Sequence, residues 1–383
     1  MIHDVAICGA GPAGSYAGYL LARQGLDVAL IDKAVFPREK PCGGALSRKA
    51  LELVDFDLQP VVQRRVTGAW LAFGGRAVRH DANGVVAVMT ERVELDAFLV
   101  ERARAAGARF LPGTALQRVT AGADDVSIAT SAGELRTRYL LGADGVASAV
   151  RARVFGRDAI QYAPAVEALV YAPPDVVARF ADRVLLEVGG MPQGYGWVFG
   201  KRDHLNVGVF SVRGASGIRA HLAAFRARYP ALARYARTRE LGHPIPVRHA
   251  TAVEHGRVWL LGDAAGLVES VLGEGIYFAL KSAVLAARAF ATARGAPRVG
   301  EYAALVRCEL EPELAAARRL ARACYARPGI TFEHIARNAH ASRLFLGLVT
   351  GEVGYRECFV RALAEMPAWM VARREPVVPV GAI

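Results

Sequence analysis

The clearest structural pattern in the sequence is DVAICGAGPAGSYAGYLLARQGLDVALID, residues 4–32. Its hydrophobic pattern predicts a buried strand over 4–8, a helix over about 13–24 and a second strand over 27–31. The turn between the first strand and the helix carries three glycines in G-x-G-x-x-G spacing: Gly9, Gly11 and Gly14. This is the opening βαβ unit of a Rossmann-like α/β fold.

A glycine turn of this kind binds the diphosphate of an adenine dinucleotide. The glycines allow close approach of the backbone, and the first N–H groups of the helix attract negative charge. Asp32 lies at the end of the second strand, 23 residues after Gly9, where a carboxylate can accept hydrogen bonds from ribose hydroxyls. The pattern predicts a dinucleotide without distinguishing FAD from NAD.

Two later turns favour FAD. One strand runs into Asp144 and Gly145, and another ends in the turn of Asp263. Gly273 and Gly275 then precede a long apolar helix predicted over 276–293. Because ligands bind at the carboxyl ends of strands, both turns can face one crevice. The helix N-terminus can stabilise the negative charge of a reduced flavin ring, which a nicotinamide lacks.

Composition excludes several classes of protein. The chain has 383 residues, of which 53% are hydrophobic and 22% charged, so it is neither disordered nor, with five cysteines, a disulfide scaffold. This cysteine usage predicts a cytoplasmic location. The uncharged stretch 5–22 is rich in glycine, so neither a signal peptide nor an anchor is predicted.

The net charge is +12, from 48 Lys and Arg against 36 Asp and Glu. This excess reflects either base composition or a surface attracted to phosphates, including a peripheral contact with a membrane. No basic run is interleaved with aromatic residues, so nucleic acid is not a predicted partner. No metal site is predicted, and the sequence does not indicate an oligomeric state.

The predicted domains are discontinuous. Residues 1–60, 91–154 and 251–299 form the FAD-binding domain. Alternating strand-like stretches in 61–90 and 155–250 form a β-rich substrate domain that interrupts it. Residues 300–383 form a C-terminal helical region, with helices over 302–325 and 332–348. No second G-x-G-x-x-G follows a strand, so a separate nicotinamide-binding domain is not expected.

Three stretches resemble the geranylgeranyl reductase family of FAD-dependent oxidoreductases, which has the p-hydroxybenzoate hydroxylase-type fold. They are FPREKPCGGALS (36–47), PQGYGWVFG (192–200) and GDAAGLVESVLGEGIY (262–277). The resemblance covers residues 1 to about 290. Gly200 stands where the family motif ends in Pro, and Asp32 replaces the more common Glu. The resemblance implies FAD-dependent reduction of carbon–carbon double bonds in isoprenoid chains.

The resemblance also implies roles for single residues. The loop of Cys42, Gly43 and Gly44 is placed near the flavin, and Leu116 contributes backbone atoms to the adenine site. The other implied FAD contacts are Ala13, Asp32, Arg92, Asp263, Gly275 and Ile276. Electrons come from NADPH that docks transiently or from a ferredoxin.

The candidate catalytic residues are Cys42, Tyr195 and Trp197. Tyr195, Trp197 and Phe199 alternate along a strand and share one face, either as the wall of an alkene pocket or as core aromatics. Cys42 either shapes the pocket, takes part in proton transfer or fills space. The alternative enzyme is an FAD-dependent monooxygenase of an aromatic or lipid substrate; a non-enzymatic alternative is an electron-transfer component.

Overall fold

The glycine motif begins the first of two large sheets. The computed structural model describes residues 2–156, 160–214, 216–235, 238–250, 252–293, 295–364 and 377–383. The elements up to residue 156 are, in chain order, β1 (Ile2–Cys8), α1 (Pro12–Arg23), β2 (Val28–Ile31), β3 (Ala45–Ser47), α2 (Arg48–Glu52), β4 (Arg64–Val66), β5 (Gly68–Phe73), β6 (Arg76–Asp81), β7 (Ala87–Met89), α3 (Arg92–Ala105), β8 (Arg109–Leu111), β9 (Leu116–Ala121), β10 (Val126–Thr130), β11 (Gly133–Gly142) and α4 (Ala149–Val154).

The remaining elements comprise eight more strands and nine more helices within the described residues. They are β12 (Tyr162–Val170), α5 (Pro174–Ala178), β13 (Arg183–Val188), β14 (Gly194–Gly200), β15 (Leu205–Ser211), α6 (Ile218–Ala227), α7 (Pro230–Ala233), β16 (Thr238–Pro246), β17 (Glu254–His255), β18 (Val258–Leu260), α8 (Ile276–Thr292), α9 (Glu301–Glu309), α10 (Glu311–Ala326), α11 (Pro328–Arg337), α12 (Ala339–Thr350), α13 (Tyr355–Ala364) and β19 (Val377–Pro379).

The first sheet has a parallel centre. Its order is β17-β18-β11-β1-β2-β8, with β10 and β9 added beside β11. β1 is parallel to β2 and β11, and Val5 is paired with Val28 on one side and Tyr139 on the other. Helices α1 and α8 pack against each other, and their apolar faces are buried. The carboxyl ends of β1, β11 and β18 therefore meet at one edge.

The second sheet has the order β16-β12-β15-β14-β13-β5-β6-β19 and is antiparallel except between β13 and β5. A third sheet, β3-β7-β4, joins residues from either side of β5 and β6. These sheets confirm the predicted α/β fold with a β-rich part. The division into three discontinuous domains remains a prediction.

The C-terminal helical region is present, but the prediction of two long helices within it is wrong. The first is broken at Leu310 into α9 and α10, and Pro312 lies in the first turn of α10, where a missing N–H is tolerated. The second is broken at Asn338, whose side chain accepts hydrogen bonds from the backbone of α12. β19 pairs with β6, so this region also contributes a strand.

Residues 365–376 of the predicted helical region lie outside the described residues. Of the described helices, none has the length and apolarity needed to cross a membrane.

Candidate functional site

One large cavity lies where the carboxyl ends of the first sheet face the second sheet. With its mouth it contains about 1600 Å³ of space not filled by atoms. Its two ends differ in chemistry. Glycines and charged side chains line one end, and side chains such as Val184, Leu186 and Phe210 line the other.

The three glycines of the first turn have different roles. Gly9 has a φ of +101°, and a Cβ there would lie 2.4 Å from the carbonyl oxygen of Ala143. A Cβ on Gly14 would lie 1.8 Å from the oxygen of Gly9. The lack of a side chain at Gly9 and Gly14 therefore allows close packing within the fold. Gly11 and Ala13, in contrast, line the cavity. No side chain caps the N-terminus of α1, which leaves its first N–H groups for a ligand.

Arg92 is held at the same end of the cavity by Asp96. The Arg92 Nε and Nη2 atoms both donate to this carboxylate at 2.7 Å, and Arg38 Nη2 adds a contact of 3.0 Å. Arg92 is buried, but the ion pair with Asp96 raises the pKa of its guanidinium beyond the ordinary value. A Cβ on Gly11 would lie 3.7 Å from Arg38 Nη2 and 3.9 Å from Arg92 Nη2. Two cations thus flank the open glycine.

Asp263 lies in the turn after β18, and its Oδ2 is 3.8 Å from Lys40 Nζ. Burial and the neighbouring Arg92 lower the pKa of Lys40. Burial and Lys40 lower the pKa of His243 to about 4, so this cavity-lining imidazole is neutral at pH 7. The charged end therefore combines a carboxylate that can accept hydrogen bonds from hydroxyl groups with cationic donors.

The segment 271–275, before α8, is held from three directions. Glu269 is fully buried and accepts hydrogen bonds from the N–H groups of Val271, Leu272 and Glu274 at 2.6–2.8 Å. The hydroxyls of Tyr195 and Tyr325 donate to the carbonyl oxygens of Leu272 and Val271, respectively. Gly273, Gly275 and Ile276 line the cavity here, at the uncapped N-terminus of α8.

The Cys42 loop closes another side of the cavity. Lys201 is fully buried and donates from Nζ to the carbonyl oxygens of Gly43 and Thr90 at 2.7 and 2.6 Å. Gly44 has a φ of +65°, and its N–H lies 3.4 Å from Cys42 Sγ. A Cβ on Gly44 would lie 2.1 Å from the Thr90 oxygen, so this turn requires glycine.

Tyr195, Trp197 and Phe199 line the cavity along β14, as a shared strand face requires. Ring centroids are 5.9 Å apart between Tyr195 and Trp197 and 6.1 Å apart between Trp197 and Phe199. A Cβ on Gly43 would lie 2.7 Å from the Phe199 ring, so the Cys42 loop packs directly on these aromatics.

Most of the predicted site residues meet at this cavity. Those lining it are Gly11, Ala13, Cys42, Gly43, Gly44, Arg92, Tyr195, Trp197, Asp263, Gly273, Gly275 and Ile276. Those not lining it are Gly9, Gly14, Asp32, Leu116 and Asp144.

Two of the predicted carboxylates bind the protein's own backbone. Asp32 accepts hydrogen bonds from the N–H groups of Ala10 and Ala34 at 2.7 and 2.8 Å. Asp144 accepts from Ser148 and the first N–H groups of α4, and burial raises its pKa. Leu116 begins β9 and is paired with Thr130. Their cofactor contacts remain predictions.

Lys40, Glu167, Lys201 and Asn206 are among the polar residues around the cavity that sequence reasoning missed. Glu167 and Asn206 interrupt the apolar strands β12 and β15, and each is buried. A polar residue inside an otherwise apolar strand was the signal that could have identified them, because such a group needs a specific partner.

These residues fit FAD. The open cradle at Gly11, the two uncapped helix N-termini and the Arg92 guanidinium suit a diphosphate and an anionic ring. The fold and the cavity define an FAD-binding oxidoreductase.

Comparison with known proteins identifies the family. Residues 3–162 match the FAD binding domain family. The chain is 35% identical over 291 residues to an uncharacterized protein of Methanosarcina barkeri, covering 74% of this chain and 73% of that protein. It is 33% identical over 328 residues to geranylgeranyl diphosphate reductase of Synechocystis, covering 78% of each.

A solved structure supports the fold. It is a geranylgeranyl bacteriochlorophyll reductase-like protein of Thermoplasma acidophilum, with a TM-score of 0.74 and 20% identity over 96% of this chain and 97% of that one. The chain belongs to the geranylgeranyl reductase family of FAD-dependent oxidoreductases.

Proposed function

We propose that this protein reduces carbon–carbon double bonds of a geranylgeranyl-type isoprenoid chain. The observation that carries the proposal is one continuous cavity with Gly11 and Arg92 at a charged end and Val184, Leu186 and Trp197 at an apolar end. A dinucleotide fits the first end and a hydrocarbon chain the second. The Synechocystis relative, named geranylgeranyl diphosphate reductase, supports this substrate class.

The chemistry explains why the apolar end is needed. An isolated alkene has no neighbouring carbonyl to accept charge, so its reduction depends on positioning and on exclusion of water. FAD, when bound in its reduced form, supplies the hydride. The protein supplies the wall of Tyr195, Trp197 and Phe199 and a proton for the other carbon.

We propose that Cys42 takes part in the proton transfer. Cys42 lines the cavity, and the next residue of its loop, Gly43, packs on Phe199 and lies close to Trp197. Tyr195 also lines the cavity, but its hydroxyl donates to the Leu272 carbonyl and burial raises its pKa, which keeps this proton in place. Tyr195 and Trp197 are therefore proposed to contact substrate.

The electron donor is proposed to be NADPH or a ferredoxin. A cytoplasmic location with peripheral contact to membranes is proposed on the net charge of +12 and the lipid substrate class.

The deciding experiment uses the FAD-loaded protein under anaerobic conditions. The flavin is photoreduced, geranylgeranyl-type lipids are added, and reoxidation is followed by absorbance while the lipid mass is measured. We expect reoxidation together with a gain of two mass units per reduced bond. Reoxidation only when oxygen is admitted, with unchanged lipids, would overturn the proposal; a hydroxylated product formed with oxygen would favour a monooxygenase.

Cys42 is tested by Cys42→Ala and Cys42→Ser. Loss of a positioned proton donor lowers rates by about 10² or more, so we expect kcat to fall in the alanine variant while FAD content is unchanged. Cys308→Ser, an exposed position on α9, is the control. A changed KM with an intact kcat would show that Cys42 only shapes the pocket.

A further inference from the structure

Three buried polar groups lie side by side on neighbouring strands of the second sheet. Glu167 on β12 and Trp197 on β14 are each paired with Gly208 of β15, one from either side. Asn206 lies two residues before Gly208 on β15. The exposed fractions are 5% for Glu167, 6% for Trp197 and 1% for Asn206, so their polar atoms depend on one another.

These groups form a hydrogen-bonded relay with the Cys42 loop. Trp197 Nε1–H donates to Asn206 Oδ1 at 2.7 Å, and Asn206 Nδ2–H donates to Glu167 Oε2 at 3.1 Å. The other oxygen of Glu167 accepts the backbone N–H of Cys42 at 3.0 Å. The carboxylate therefore joins the aromatic wall to the loop that carries the thiol.

Glycines make room for this arrangement. A Cβ on Gly208 would lie 2.0 Å from the Trp197 indole, so only glycine lets the ring lie across β15 toward Asn206. A Cβ on Gly43 would lie 3.6 Å from Trp197 Nε1, which shows how closely the loop approaches the indole.

Both ends of the relay are hydrogen-bond donors. Because an indole N–H and a backbone N–H can only donate, the central group must accept a hydrogen bond from each side. The Glu167 carboxylate meets this requirement, with Lys201 as the neighbouring positive charge and Glu91 as the neighbouring negative charge. Burial raises the pKa of Glu167, while the hydrogen bonds from Asn206 and Cys42 act in the opposite direction.

We infer that Glu167 and Asn206 are positioning residues that fix the Trp197 indole against the Cys42 loop and thereby set the shape of the apolar end for a chain-like substrate. This inference rests on the proposed function for its consequence in catalysis. The relay itself can be tested without any substrate.

Glu167→Gln is the sharpest single change, because a neutral amide has one accepting atom where the relay needs two. If Asn206 turns to match the new amide, its NH₂ group meets the Trp197 N–H, and two donors then face each other. Trp197→Phe removes the indole N–H, which is one of these two donors. The free energy of unfolding should therefore fall less in the double variant than the sum of its decreases in the two single variants.

Glu187→Gln is the matched control. Glu187 is also a buried carboxylate of the second sheet, but it accepts hydrogen bonds from Arg228 and Tyr229 and does not line the cavity. It reports the general effect of neutralising a buried acid in this sheet.

The first readout is the indole N–H resonance of Trp197 in ¹⁵N-labelled protein. The chain has four tryptophans, so Trp197→Phe assigns the signal. We expect Glu167→Gln and Asn206→Leu to shift this resonance upfield and to speed its exchange with solvent, and Glu187→Gln to leave it in place. An unmoved resonance in both relay variants would overturn the inference.

The second readout is steady-state kinetics with a geranylgeranyl lipid. Loss of one buried hydrogen bond corresponds to about a tenfold effect, which we expect mainly as a higher KM with FAD content unchanged. An equal rise in KM in Glu187→Gln would show that neutralising any buried acid of this sheet has the same effect, and it would overturn the inference. If the wild type reduces no lipid, the proposed function fails while the resonance still decides whether the relay exists.

Discussion

Gly9, Gly11 and Gly14, three glycines within six residues, serve two different purposes at the first turn. A Cβ on Gly14 would overlap the Gly9 oxygen at 1.8 Å, whereas a Cβ on Gly11 would meet nothing closer than 3.7 Å. Gly11 also has a φ of −74°, which any residue can adopt. The motif therefore combines glycines that the fold requires with one whose open side faces the cavity.

This difference predicts opposite outcomes for two alanine variants. Gly11→Ala should fold normally but bind FAD about tenfold to a hundredfold more weakly, as expected for loss of one or two charge-assisted hydrogen bonds. Gly14→Ala should destabilise the protein by about 2 kcal/mol, because the turn is overpacked. FAD titration and urea unfolding of the apoprotein measure the two effects. A Gly11→Ala variant with normal FAD affinity would contradict this assignment.

The Arg92 site depends on a second residue, Asp96, which is completely buried. Asp96→Asn leaves two guanidinium groups, those of Arg92 and Arg38, without a full counter-charge. Breaking a buried ion pair in this way should lower the free energy of unfolding by about 3 kcal/mol and weaken FAD binding. Urea unfolding at pH 7 is the measurement.

Glu101→Gln is the control on the same helix, because Glu101 pairs with Arg104 in an exposed position. Its effect should stay within about 0.5 kcal/mol. Equal destabilisation in both variants would show that Asp96 has no special role.

Among the elements, the connection from β18 to α8 depends most on its neighbours. The N–H groups of its segment 271–275 donate to Glu269 within the connection, and its carbonyl oxygens accept hydrogen bonds from Tyr195 of β14 and Tyr325 of α10. Glu274 also forms an ion pair with Lys49 of α2. The shape of this cavity wall is therefore fixed jointly by both large sheets and the C-terminal helices.

Glu269 makes this connection sensitive to pH. Burial raises its pKa from the ordinary 4.5 to about 7. A carboxyl whose pKa is higher in the folded state stabilises the protein at low pH, and this contribution is lost as the pH rises from about 4.5 to about 7. At about 1.4 kcal/mol per pH unit, the loss amounts to roughly 3 kcal/mol.

Glu269→Gln should remove that pH dependence. We expect the free energy of unfolding of the variant to change less between pH 5 and pH 7.5 than that of the wild type, as measured by urea unfolding. Glu134→Gln, an exposed position on β11, should keep the wild-type slope. Identical slopes in wild type and Glu269→Gln would contradict a raised pKa.

At the scale of the whole molecule, the cavity exists only because the two large sheets meet. Cavity residues come from turns after β1, β11 and β18 and from five strands of the second sheet. Val349 of α12 completes the apolar end. A ligand that fills the cavity contacts both sheets at once and should stabilise the folded chain as a unit.

FAD should therefore raise the stability of the apoprotein. A ligand at 100 times its Kd adds about 2.7 kcal/mol, which we expect as a Tm increase of several degrees in a thermal scan. The Gly11→Ala variant at the same FAD concentration should show a smaller increase. An unchanged Tm with saturating FAD would contradict binding to the folded state.

The sequence alone determined the opening βαβ unit and the family, and most of the site residues predicted from it line the cavity. These depend on local patterns: glycine spacing fixes the turn between β1 and α1, and alternation fixes the shared face of Tyr195 and Trp197. The prediction of one long helix over 302–325 was wrong. The apolar pattern continues through Leu310, although α9 ends just before this residue and α10 begins just after it.

The pairing of distant residues depends on how the chain packs and could not be read from local patterns. The partners of Glu167 lie 125 residues before it and 39 residues after it in the chain, and those of the 271–275 segment come from β14 and α10. Tertiary structure likewise brought the N–H of Ala10, 22 residues away in the chain, to Asp32. A buried polar group must find a partner, but which partner it finds depends on how strands and helices pack, and no local spacing records that.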